Sequence, residues 1–70
     1  MVDKIQLGKN LKAERCRNNK TMKDISEYLN MTLQGYRNYE MGLRIINAID
    51  LEKLAILYNI DINNFYFKSN

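Results

Sequence analysis

The segment that most constrains this chain runs from Thr21 to Gly42, TMKDISEYLNMTLQGYRNYEMG. It has no proline, and its apolar residues recur at helical spacing. Thr21 stands as a helix N-cap, and Asp24 follows at the position that completes a capping box, with Asp in place of the usual Glu. Ile25, Tyr28 and Leu29 give the i, i+3, i+4 stripe of a short helix. Asn30 then offers the left-handed conformation that stops a helix sharply. Met31 can tuck into the core across that stop, and Thr32 caps a second short helix that Gly42 ends. Two short helices joined so tightly must cross at a steep angle, the layout of a helix-turn-helix unit over about residues 21–41.

The flanking sequence extends the same pattern. Ile5, Leu7, Leu11, Ala13 and Cys16 mark a first amphipathic helix that should end near Asn18, Asn19 and Lys20. After Gly42 a connector, LRIINAI, leads to Asn47, the cap of a further helix with a buried stripe of Ala48, Leu51, Leu54, Ala55 and Tyr58. Asn59 repeats the stop role of Asn30, and Ile60 the plug role of Met31. Asp61 caps a last short helix with Ile62, Phe65 and Tyr66. The expectation is one all-α domain over residues 1–70, a compact bundle of five helices whose local contacts favour fast folding.

Several function classes fall away. The chain has no His and one Cys, Cys16, so a catalytic triad, a transition-metal site or an internal disulfide is hard to build. The three glycines, Gly8, Gly35 and Gly42, form no phosphate-cradling pattern. Asp50 and Glu52 read as solvated charges on a helix face. The chain is expected to be no enzyme and to need no metal or cofactor. No apolar run is long enough for a membrane span, and the N-terminus lacks the apolar core of a signal peptide. A reducing cytoplasm fits the lone Cys16, which is expected as a small core residue, with redox sensing the less favoured role.

The net charge of +3 is unevenly spread. Residues 1–23 carry Lys4, Lys9, Lys12, Arg15, Arg17, Lys20 and Lys23 against Asp3 and Glu14, or 7 − 2 = +5, which leaves 3 − 5 = −2 for the remainder. A basic first segment is either a phosphate-facing surface or a solvated helix face.

The runs TMKDISEYLNMTLQGYRNYEMGLR and LEKLAILYNIDINNFY together resemble the helix-turn-helix domain of the Cro/C1 repressors, the XRE family. The resemblance spans about Ile5 to Tyr66 and implies a lambda-repressor-like fold. It also implies transcriptional regulation by sequence-specific binding to double-stranded DNA, as a homodimer on a palindromic operator. Residues 32–41 resemble the recognition helix. Tyr36 and Tyr39 then point inward, and Leu33, Gln34, Arg37 and Asn38 face base edges in the major groove. Gln or Asn can bond adenine, Arg guanine, and Leu33 can touch a thymine methyl. Thr32, at a helix N-terminus, suits a phosphate, and Lys12, Arg15, Thr21, Lys23 and Arg44 complete the set expected at the DNA backbone. Arg15 and Glu40 match an ion pair that ties the first helix to the end of the recognition helix. Gly35 either lets backbones approach closely or is neutral on a solvent face.

Four departures stand out. Met22 occupies a place where the family often has a phosphate-gripping Gln, and Met cannot donate a hydrogen bond. Glu14 and Lys20 lie near positions that are often apolar, so either the helix register is shifted or the two charges face each other. Ile45 and Ile46 sit in an expected surface loop, one read as buried and one as near a contact. Phe65, Tyr66 and Phe67 are too many aromatics for one small core, and with Ile62 they form the expected dimer contact. With no further domain visible, no small-molecule effector is expected. The other reading is an antitoxin or adaptor that uses the same fold to hold a partner protein.

Overall fold

The computed structural model describes residues 3–66. The chain there forms four α-helices, α1 (Lys4–Arg17), α2 (Met22–Tyr28), α3 (Leu33–Glu40) and α4 (Ala48–Tyr58), followed by a 3-10 turn at Ile62–Tyr66. The expected fifth α-helix is therefore corrected to a 3-10 turn. Asp61 accepts at its carboxylate from the Asn63 amide (2.8 Å) and at its carbonyl from the Asn64 amide (2.9 Å), so the first turn closes early. Five residues containing two asparagines are a poor α-helix nucleus.

Each α-helix starts on a side-chain cap. Asp3, Thr21, Thr32 and Asn47 accept from the amides of Gln6, Asp24, Gly35 and Asp50. The capping box at Thr21 is complete, because the Thr21 amide also donates to Asp24 at 2.9 Å. Stops are equally regular. Asn19, Asn30 and Asn59 have φ of 57, 56 and 55°, and Gly42 has 74°. Asparagine accepts this conformation because its short polar side chain can bond locally. Asn19, which closes α1, adds a third such stop to the two expected.

Leu7 and Leu11 of α1, Ile25 of α2 and Leu29 at its C-cap, and Leu51, Leu54 and Tyr58 of α4 converge with Tyr36 and Phe65 on one core. The α1 stripe takes a different path from the one expected. From Leu11 the buried face continues at i+3 and i+4, to Glu14 and Arg15, and so leaves Cys16 exposed. Ile5 and Ala48 are exposed as well. Tyr28 is half out, and its hydroxyl donates to the Lys53 carbonyl at 3.3 Å.

Helix α1 crosses the end of α3 at very close range. A Cβ at Gly8 would lie 2.4 Å from the Glu40 carbonyl oxygen and 2.7 Å from that of Tyr39. At Gly42 it would lie 2.9 Å from the Ile5 Cα. Glycine at these two positions lets backbone meet backbone and holds α3 against the body. The buried Asn10 closes the other end: its Nδ2 donates to the Phe65 carbonyl at 2.8 Å, and its Oδ1 accepts from Gln6 at 3.0 Å.

Candidate nucleic-acid interface

One face of α3 is anchored and the other is free. Tyr36 is fully buried and Tyr39 nearly so, with ring centroids 6.4 Å apart and planes at 89°. That edge-to-face contact suits the ring quadrupoles. Leu33, Gln34 and Arg37 are exposed and Asn38 is half-buried. Inward tyrosines and an outward polar row were both expected from the resemblance.

The polar tips are joined to one another. Gln34 Nε2 donates to Asn38 Oδ1 at 2.9 Å, and Arg37 Nη1 donates to Gln34 Oε1 at 3.3 Å. Gln34 is thus oriented at both ends of its amide. Each end keeps one further hydrogen-bonding position, since an amide carries two donors and two lone pairs. A row ordered in this way presents donors and acceptors edge-on, the arrangement that meets the N6 and N7 edge of adenine.

The base of the helix is held by an ion pair. Arg15 Nε meets Glu40 Oε2 at 2.7 Å and Nη2 meets Oε1 at 3.1 Å, while Nη1 donates to the Lys20 carbonyl at 2.9 Å. The Glu40 bond raises the already high Arg15 pKa further, against the opposing effect of burial. The expected pair is present. The Arg15 side chain is 10% exposed, and three of its five N–H donors are engaged. The Arg15–Glu40 pair lies against two buried tyrosines. Burial first, and then Glu40, push the Tyr36 phenol well above its usual range. No hydrogen bond of normal geometry reaches the Tyr36 or Tyr58 hydroxyl from a described residue.

The remaining backbone candidates lie on the surface. Lys12, Thr21, Lys23, Thr32 and Arg44 are exposed. The hydroxyls of Thr21 and Thr32 accept cap bonds from Asp24 and Gly35 at 3.0 Å each. The two bonds to Thr21, its amide first and its hydroxyl second, hold the Asp24 carboxyl below the usual range. Glu14 faces Arg17 rather than Lys20, so the two charges do not face each other; the shifted α1 face that buries Glu14 is the alternative that holds. Of the basic first segment, Arg15 and Arg17 are matched by carboxylates, and its lysines remain outward.

Other positions sort by burial. Met22 is half-buried and packs against the core, so an apolar contact stands where relatives often place a Gln. At Gly35, which is half-buried, an added Cβ would crowd side-chain atoms, of Thr32 at 3.0 Å and Met31 at 3.1 Å, and would meet no backbone of α2. Ile46 is buried and Ile45 is 66% exposed. Of the expected dimer residues, Phe65 is fully buried within the monomer and cannot form a contact face. Ile62 is half-buried, Tyr66 is exposed, and Phe67 lies outside the described residues. Sequence reading missed Gly8 and Asn10. A lone glycine inside a helical stripe costs about 1 kcal/mol relative to Ala, which is itself a signal of close packing.

Two short helices joined by a four-residue turn, an anchored α3 and an outward polar row together define a helix-turn-helix domain. The helix-turn-helix family model HTH_3 matches residues 11–65, and the chain belongs to this family, the XRE type. It is similar in fold to the crystal structure of the DNA-binding domain of BldD, with a TM-score of 0.74 and 23% identity over 93% of this chain and 97% of that one. No curated protein sequence matches the chain. No described helix is long and apolar enough to cross a membrane.

Proposed function

We propose that the chain is a sequence-specific transcriptional regulator that reads DNA with α3 and binds a palindromic operator as a homodimer in the cytoplasm. The observation that carries the reading is the ordered row Gln34, Arg37 and Asn38, held outward by buried Tyr36 and Tyr39. Leu33, 39% exposed at the start of the row, adds an apolar tip for a thymine methyl. Lys12, Lys23, Thr32 and Arg44 supply the phosphate contacts that position it, with Thr21 beside them. Two recognition helices on a two-fold axis would engage half-sites about 34 Å apart.

Selection of duplexes from a random DNA pool tests this directly, with affinities measured at two salt concentrations. Enrichment of an inverted repeat is the expected result. Asn38→Ala should relax base preference at one position and cost about 1–3 kcal/mol there. Lys23→Ala should weaken binding to all sequences and lower the salt slope by about one. A second reading, an antitoxin or adaptor, draws on the exposed Ile45. It gains ground if the pool yields only weak, salt-sensitive binding with no preferred site.

A further inference from the structure

The outer face of α4 carries Ile49, Glu52, Lys53 and Ile56, at i, i+3, i+4 and i+7. All four are exposed, the isoleucines at 70% and 69%. Large apolar side chains aligned on one helix face mark a contact surface more often than a scatter of single ones does. The row reads alike in both directions. Outward from the midpoint between Glu52 and Lys53, Ile49 is matched by Ile56, and Ile45 by Ile60. Ile45 is exposed and Ile60 half-buried.

Such a row is complementary to itself. Two α4 helices laid antiparallel about a two-fold axis set Ile49 of one copy against Ile56 of the other. The same register sets Glu52 against Lys53, and the symmetry makes each contact twice. A parallel pairing would put like charges together. We propose that the occupant of this face is a second copy of the same chain, in this antiparallel register. The proposal rests on the homodimer reading and names its surface, replacing one centred on the buried Phe65.

The size of the face fixes the strength. Helix α4 has 11 residues, about 16 Å of length. One pair of such helices buries less than the roughly 1,200 Å² of a stable interface. The pairing is therefore weak in free solution and closes on DNA, where neighbouring half-sites hold the two copies at an effective concentration near the millimolar range.

The test is charge reversal with rescue. Glu52→Lys, Lys53→Glu and the double swap are titrated on two duplexes, one with a single selected half-site and one with an inverted repeat. Each single reversal should lower two-to-one cooperativity about tenfold, because it places like charges together at both symmetric contacts. The double swap should restore it. Affinity for the single half-site and the helical circular dichroism should not change. Ile49→Glu combined with Ile56→Glu should abolish cooperativity with the half-site affinity intact. A double swap no better than the single reversals overturns the register. Cooperative binding that none of these substitutions disturbs overturns the α4 surface and leaves the homodimer standing. Unmodified protein that binds the inverted repeat without cooperativity overturns both.

Discussion

Arg15 uses all three of its nitrogens within the fold, two on Glu40 and one on the Lys20 carbonyl. The fork geometry of the guanidinium makes this possible, since one planar group can meet a carboxylate at two points and still donate elsewhere. The pair was legible in the sequence through the resemblance. Its burial was not, because burial depends on how closely α1 lies on α3. Removing one partner strands a buried charge. Arg15→Ala should cost about 3–5 kcal/mol, against a few tenths for Lys12→Ala on the same helix. Urea unfolding of the two variants, followed by circular dichroism, checks the contrast. Equal stability for the two would mean that the bridge holds nothing in place.

At the scale of the element, the close approach at Gly8 sets the position of α3. Helix α1 meets the last carbonyls of α3 at Gly8, with space for a hydrogen and nothing larger. In an isolated helix, Gly8→Ala should stabilise by nearly 1 kcal/mol through propensity. In this fold a methyl 2.4 Å from the Glu40 oxygen must push the helices apart. The expected net effect is a loss of about 1–3 kcal/mol. If α3 reads DNA as proposed, affinity for the selected duplex should also weaken, because the displaced helix carries Gln34, Arg37 and Asn38. Thermal melting and a gel-shift titration of the variant test both parts. A melting point above that of the unmodified protein would show that the close approach relaxes at no cost.

For the whole molecule, the tyrosines around the ion pair predict an alkaline limit to stability. Burial raises the folded pKa of Tyr36 and Tyr58 above the unfolded value of about 10. Both stay protonated in the folded state after the unfolded chain has begun to lose its protons. Their contribution is therefore complete below about pH 10 and is lost as pH rises through the interval between the two values. Absorbance of the phenolate near alkaline pH should show these two rings ionising together with loss of helix. Ionisation of all the tyrosines well before the helix signal falls would contradict it.

Most of the element order follows from the sequence by itself. Three of the four helix caps, two of the three asparagine stops and Gly42 are local chemistry, decided within a turn of the residue concerned. The outward row on α3 is equally local, because inward Tyr36 and Tyr39 determine which positions face away. Tertiary structure decided the remainder. Phe65 is core rather than contact, Cys16 is surface, Ile46 rather than Ile45 is buried, and Asn10 bonds a carbonyl far along the chain. Each of these depends on how elements distant in sequence pack together. Helical periodicity states which residues share a face, and only the packing of α1 against α3 and the terminal turn determines which face is covered.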